Sequence, residues 1–254
     1  MRRFLAVCAC VGLVGLFLLP SVAVRAAPAC LRGVVVATSS EASPRCNSRA
    51  LPSDLTLPRH PACTILGTLG PDLLRGTNAH DVICGRGGND RLHGAQGSDL
   101  LVGGRGDDRL LGGPGRDTLN GFAGADVARG GRGRDLIFGG TGNDRLFGGP
   151  AADGLYGGAN DDVAFGGPDR DYMDDNAGNN RYFGGGDGDT IYALGAIDVV
   201  FAGPGDDGCV LTTDGQPGDR LNGGAGTEDT FNADPGDRWV AFEIGPTDAC
   251  VIGC

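Results

Sequence analysis

Aromatic side chains make up only 6% of this chain, and methionine occurs twice. A large, conventionally packed enzyme core draws on both, so their scarcity argues against one. Histidine is scarcer than a catalytic reading needs. His60, His80 and His93 stand in neither HExxH nor HxH spacing, and each reads as an exposed, solvated side chain. No GxSxG occurs, and no nucleophile, base and metal come together as a motif. Positive charge is also short: 21 Lys and Arg face 32 Asp and Glu, a formal charge of −11 with pI near 4.6. Such a chain is a poor nucleic-acid binder, because phosphate contacts need clustered cations. Proline, 14 of 254 residues, is too rare for collagen. What abounds is glycine, 49 of 254 residues, against a usual ~7%. With 40% hydrophobic residues the chain is too apolar for a solvated coil. The glycine must be organised.

The N-terminal segment differs from the rest. Arg2 and Arg3 precede an apolar run at residues 4–19, which ends at Pro20; Val24 and Ala26 then place small side chains at −3 and −1 of a cleavage point. The run is too short for a membrane span, so residues 1–26 are expected to be a secretory signal peptide. Arg2-Arg3 also fits twin-arginine export, and Ala29-Cys30 a lipoprotein site, though Ala27 replaces the usual Leu there. After cleavage seven cysteines remain, at 30, 46, 63, 84, 209, 250 and 254. In an oxidising compartment most should pair. Proximity in sequence suggests Cys30–Cys46 and Cys63–Cys84, with two of the last three joined.

A nine-residue period runs through the middle of the chain. Residues 103–111 read GGRGDDRLL, 112–120 GGPGRDTLN, 130–138 GGRGRDLIF and 139–147 GGTGNDRLF. Stepping by nine from Asp72 to Asp207 meets 16 positions without an insertion, and 15 are Asp; the exception is Asn180. With that Asp as position 6, position 1 is Gly in 13 of 16 units and position 8 is almost always apolar, as at Ile83, Leu92, Leu101, Leu110 and Leu119. After Asp207 a three-residue slip is followed by a ragged continuation through Asp219, Glu228 and Asp237.

This spacing has a physical reading. Positions 1–6 suit a turn, since glycine reaches positive φ without steric cost. Positions 7–9 suit a three-residue strand whose middle side chain points away from its neighbours. With position 8 inward, each unit gives one apolar residue to a thin core. Two units make an 18-residue coil, and parallel strands of successive coils stack ~4.8 Å apart. Asp90 then lies over Asp108 on one edge, and Asp99 over Asp117 on the other. Stacked carboxylates repel, and turn carbonyls share the same gaps. A hard divalent cation with six or more oxygen ligands resolves both conflicts, and calcium suits such flexible sites better than magnesium. One Asp in one turn reads as solvated; fifteen in register read as cation ligands.

The pattern Gly-Gly-x-Gly-x-Asp-x-hydrophobic-x resembles the RTX, or haemolysin-type, calcium-binding nonapeptide repeat over about residues 64–240. The resemblance implies an all-β fold, a parallel β-roll (a right-handed β-solenoid) holding several calcium ions between stacked turns. It also implies extracellular folding on calcium binding. The metal ligands it implies are Asp81, Asp90, Asp99, Asp108, Asp117, Asp126, Asp135, Asp144, Asp153, Asp162, Asp171, Asp189 and Asp207. Units from Asp90 to Asp144 keep Gly at position 4. Later units carry Ala151, Asn160, Asp169, Asp187 and Ala196 there, so sites in the second half are expected to be weaker or missing. An N-terminal signal and a short lead-in look like the small secreted members of Gram-positive actinobacteria rather than the toxin, lipase and protease relatives.

The expected organisation is a signal peptide (1–26), an irregular cap or linker (27–62), a regular roll (63–210), degenerate repeats (211–240) and a C-terminal cap (241–254). Position 9 on one side reads Phe147, Phe165, Phe183 and Phe201 at 18-residue spacing, an aromatic ladder, and position 7 of that side includes Arg91, Arg109, Arg145 and Arg181. Phe138, Tyr156 and Tyr192 lie on the opposite side. An exposed apolar stripe marks an interaction surface, unless the ladder only stabilises the stack or residues 241–254 cover it. The leading expectation is a secreted, non-enzymatic calcium-binding protein with no membrane span and no nucleic-acid partner. An adhesion or matrix module binding glycan or protein through the ladder is the alternative. A toxin or hydrolase is disfavoured by the shortage of catalytic residues.

Overall fold

The structure, a computed structural model, describes residues 63–240 apart from 176, 209, 212–214, 216, 227–228 and 234. The expected signal peptide and N-terminal cap, His60, the Cys30–Cys46 pair, Cys209, Glu228 and the C-terminal segment with Cys250 and Cys254 lie outside the described residues. Within them the chain forms twenty strands and no helix, from β1 (Ile65–Leu66) to β20 (Arg238–Val240). Odd-numbered strands build one ten-stranded sheet and even-numbered strands a second, each strand paired in parallel with the strand two further on. The pairing offset is 18 residues, as in Ile83↔Leu101 and Leu92↔Leu110. This is the parallel β-solenoid expected from the nine-residue period.

The core is one residue deep on each side. Every position-8 side chain from Ile83 to Val200 is buried, and together they form a single cluster. Strands alternate faces, so positions 7 and 9 point away from that row on each side of position 8, although Cys84, Val102 and Asn120, at position 9 of the odd-numbered sheet, are also buried. After Val200 the register lengthens, pairing Val200 with Leu221 and Val210 with Phe231. The core row resumes at Leu221.

Many strands are longer than the three residues expected. In β5 (Leu100–Arg105) and β7 (Thr118–Ala123) pairing continues through positions 1–3 of the next unit, with Gly104↔Phe122 and Arg105↔Ala123 still in register. The expected six-residue turn is therefore short, because the backbone keeps its ladder bonds to the next coil past the first glycine. Positive φ is needed at positions 2 and 4, as at Gly104 (φ 118°) and Gly106 (φ 113°). Phe122 (φ 77°) at position 2 and Ala151, Asn160, Asp169 and Asp187 at position 4 hold the same conformation without glycine. Those four turns thus keep their shape, at a local strain of order 1–2 kcal/mol per residue, while in the turn of Ala196 the positive φ falls on Gly195 (φ 156°) instead.

At the first coil, Cys63 and Cys84 are joined in a disulfide with Cα atoms 6.0 Å apart. Cys63 stands where a position-6 Asp would be, and the bond fastens the opening strand to the next coil.

A core with one side chain per strand has no second layer to collapse into a void. Leu119→Ala is expected to cost about 2–5 kcal/mol, read as a lower denaturation midpoint of the calcium-loaded protein with little change in slope.

Candidate metal centres

From Asp90 onward the position-6 Asp divides its two carboxylate oxygens between two tasks. Oδ1 reaches back to the preceding coil and accepts the backbone N–H of the Asp 18 residues earlier: Asp90 to Asp108 at 2.8 Å, Asp117 to Asp135 at 2.7 Å, Asp144 to Asp162 at 2.7 Å. The rows of carboxylates therefore interlock through the backbone as well as repel. Oδ2 turns inward. In Asp90, Asp99, Asp108, Asp117, Asp126, Asp135, Asp144, Asp153, Asp162, Asp171, Asp189 and Asp207 it is buried and accepts no hydrogen bond. Burying an oxygen of a carboxylate without a partner is costly, and here the cost recurs along both edges.

The surroundings of that oxygen explain the first glycine of the repeat. A Cβ on Gly148 would lie 2.5 Å from Asp153 Oδ2 and 2.7 Å from the carbonyl oxygen of Gly166 in the next coil. Gly94, Gly112, Gly121 and Gly139 meet the same pair of atoms from their own and following coils. Position 1 is glycine because a side chain would fill the cradle, whereas positions 2 and 4 are glycine for their φ. The cradle holds oxygens alone: one carboxylate oxygen without a partner and one backbone carbonyl, repeated coil after coil. Among the described residues no three His, Cys, Asp or Glu side chains converge on one point, so the donors are carboxylate–carbonyl pairs. Hard oxygen donors of this kind fit calcium and offer nothing to a thiophilic or imidazole-seeking metal.

Burial also shifts the acids. Removal from water raises the carboxyls of Asp108, Asp126, Asp135, Asp144 and Asp171 to about 7, and those of Asp153 and Asp189 to about 8, against partial relief from the backbone N–H bond each accepts. Asp117 and Asp207 rise to about 6, and Asp90 and Asp99 rise too, for the same reason.

Three places depart from the pattern. At the first coil the backbone N–H and hydroxyl of Thr77 donate to Asp81 Oδ2 at 2.6 and 2.9 Å, which lowers the Asp81 carboxyl and satisfies the oxygen its relatives leave bare. Asp81 is thus set apart from the other expected ligands. In a later coil Asn180 keeps the interlock, its Oδ1 accepting the Asp162 N–H at 2.8 Å, but its amide nitrogen donates to the Ala177 carbonyl instead of presenting an oxygen. In that same coil position 1 is Asp175, and its Oδ2 stands beside Gly157 next to Asp162 Oδ2, where other coils place a glycine carbonyl. A carboxylate lost at position 6 is regained at position 1. At the C-terminal end the edges continue through Asp198, Asp219 and Asp229: Asp198 N–H donates to Asp219 at 2.8 Å and Asp207 N–H to Asp229 at 3.0 Å. The expected continuation through Glu228 is corrected to Asp229, because the insertion is one residue longer on that edge.

Outside the edges, the ladder forms as spaced. Phe147–Phe165–Phe183–Phe201 stack with centroids 5.0, 4.6 and 5.2 Å apart, the first three half-buried and Phe201 exposed. Phe138, Tyr156, Tyr172 and Tyr192 make a second, more tilted row on the other sheet. Tyr172, missed because it sits at position 7, fills the gap left by Asp174. His80 is exposed, yet its Nδ1 meets the Ser98 carbonyl. His93 is half-buried rather than fully exposed.

The model of the family described as RTX calcium-binding nonapeptide repeat (4 copies) matches residues 64–92, 85–119, 93–127, 120–155, 156–191 and 183–209. A comparison with curated proteins returns no match.

Two outcomes test the cradle. Gly148→Ala should remove calcium affinity at its gap and lower calcium-loaded stability, seen in calorimetry as a loss of binding stoichiometry. An unchanged isotherm would refute the cradle. Because folded carboxyls near 7 retain protons that the unfolded chain releases above its ordinary 3.8, calcium-free stability should fall as pH rises from 4 to 8. Circular dichroism in chelator should show more β signal at pH 5 than at pH 8; the reverse slope would contradict the burial of these acids.

Proposed function

The chain belongs to the RTX calcium-binding nonapeptide repeat family, and on that premise we propose that it is a secreted, non-enzymatic protein in which several calcium ions act as structural cofactors of the β-roll. The reading rests on one observation: in successive coils a buried Asp Oδ2 without a hydrogen bond faces a glycine carbonyl of the next coil. Calcium bound there is held by the position-6 Asp series and the position-1 carbonyls. It replaces the protons that the buried acids otherwise retain. Since these cradles exist only when coils are stacked, calcium binds the folded chain and not the unfolded one. Its binding free energy becomes folding free energy, about 2.7 kcal/mol per site at a hundred times Kd.

Secretion is supported by the basic start, apolar run and small residues at −3 and −1 in residues 1–26. It places the chain where calcium is millimolar, the range in which extracellular calcium modules work. Among the described residues no helix is long and apolar enough to cross a membrane. The non-enzymatic reading is supported by the sequence, in which the histidines stand in neither HExxH nor HxH spacing and no GxSxG occurs, and by edges whose buried groups are carboxylates of a single repeated type.

Titrating calcium into chelator-treated protein should produce a cooperative gain of β signal, reversed on adding chelator. A β-rich spectrum that is complete in excess chelator at pH 7.5 and unmoved by calcium would defeat the proposal.

A further inference from the structure

The two outward faces of the roll are chemically different. On the even-numbered sheet, position 7 carries Arg91, Arg109, Arg145, Arg181, Arg220 and Arg238, interrupted only by Val127, Val163 and Val199. All six arginines are exposed, as are Arg75 and Arg129 at position 9 of the same sheet. No Asp or Glu occupies position 7 or 9 anywhere from Leu73 to Arg238 on this face. The equivalent positions of the odd-numbered sheet, from Val82 to Tyr192, hold no arginine and one acid, Asp174. Those odd-sheet positions are half-buried or, at Cys84, Val102 and Asn120, buried, whereas the arginine face is open to solvent. Positive charge is thus lined up on the open face, in a chain of formal charge −11 whose basic residues are all arginine.

The arrangement also costs stability. Arg91 pairs in register with Arg109, and Arg220 with Arg238, although like charges directly opposite on a sheet are destabilising. The row spans nine coils, about 38 Å at ~4.8 Å per strand. Beside it, two residues along each strand or roughly 6.6 Å away, runs the phenylalanine ladder. Its rings lie within 2–7° of parallel, so each ring face is covered by the next. Arg129 caps Phe147 at 4.7 Å, and Arg181 lies 5.7 Å from the Phe183 centroid. Those contacts hold guanidinium groups against the ladder. Closed ring faces leave no platform for nucleic-acid bases, which bind single-strand readers by stacking on aromatic faces. The ladder presents ring edges, a rim beside a line of cations.

We propose that this arginine row is a binding face for a linear anionic polysaccharide, whose sulfate or carboxylate groups lie along the stack and are gripped by successive guanidinium forks. Arginine suits such oxyanions because its planar fork donates two parallel hydrogen bonds. A face one row wide and nine coils long matches one extended polymer, not a globular partner. The proposal rests on the calcium reading, which supplies a folded roll and adds two positive charges per ion against the acidic edges flanking the face. Binding is therefore calcium-dependent and salt-sensitive.

The test uses the full mature chain in millimolar calcium with dextran sulfate as probe, uncharged dextran as blank, and oligothymidylate and polyglutamate of matched charge as competitors. Dextran sulfate should bind in about 50 mM salt and weaken steeply as salt rises. The triple variant Arg109→Gln, Arg145→Gln, Arg181→Gln should lose at least tenfold in affinity. A control with the same charge change on an edge, Arg116→Gln, Arg132→Gln, Arg134→Gln, should stay within twofold. Equal losses in the two variants, competitors that bind as tightly as dextran sulfate, or no binding at 50 mM salt would overturn the face. Circular dichroism of the same samples separates the two readings. A chain that folds with calcium yet ignores dextran sulfate overturns this inference alone; one indifferent to calcium overturns both.

Discussion

In each regular turn a carboxylate oxygen is buried against a glycine carbonyl with nothing to donate to it, and most of the architecture follows from that unresolved contact. It favours the first glycine of the repeat, because at positions such as Gly148 a side chain would crowd Asp Oδ2 and the carbonyl of the next coil, and only Asp175, Ala193 and Ala202 depart from it. It raises the carboxyls toward neutrality, because water has been removed and only one oxygen of each is hydrogen-bonded. It also separates this solenoid from an ordinary one. The hydrophobic core is one residue deep, so the stack draws on its edges for cohesion as much as on its interior.

The interlock supplies half of that cohesion without any ion. Each Oδ1 that accepts the backbone N–H of the preceding coil makes a hydrogen bond between coils, continuing through Asp219 and Asp229 to Asp237. The other half is left to whatever occupies the cradle. A carboxylate with one oxygen committed to the preceding coil and one buried beside the carbonyl of the next would couple stacking to ion binding geometrically, since a coil that moves away loses both at once. At the first coil, Thr77 satisfies Asp81 directly, and a disulfide fastens the opening strand. That end is held by a covalent bond and by hydrogen bonds from Thr77 to the Asp81 carboxylate.

The departures respect the same constraint. Asn180 keeps the interlock, since an amide oxygen accepts an N–H as a carboxylate does, but it gives up the second oxygen. Asp175 returns a carboxylate to the same coil from position 1, where the other units hold glycine or, at Ala193 and Ala202, alanine. The replacements at position 4 are tolerated differently: Ala151, Asn160, Asp169 and Asp187 accept a left-handed backbone, and the oxygens of Asp153, Asp162, Asp171 and Asp189 stay buried in place. Position 4 is a matter of conformational strain, position 1 a matter of space, and only the second touches the cradle.

Much of this was legible from residue order alone. A strict period of nine, with an apolar residue two places after each Asp, sufficed for the strand, the inward side chain, the 18-residue coil and the two edges, because strand alternation and parallel stacking leave no other solution. It also placed the phenylalanine ladder and the Cys63–Cys84 bond. Where the period broke, inference from spacing failed: Glu228 was expected where Asp229 stands, and the count of 13 glycines in 16 units gave no sign that Asp175 puts a carboxylate at position 1. The division of labour within each carboxylate could not be read from sequence at all. Which oxygen meets a neighbour's N–H and which is left bare depends on how closely two coils approach, and that distance is set by side chains 18 residues apart packing against one another. Sequence periodicity determined what is stacked; only the stacked structure decided that the same glycine serves space in one place and φ in another, and that the acidic rows are partly bonded before any cation arrives.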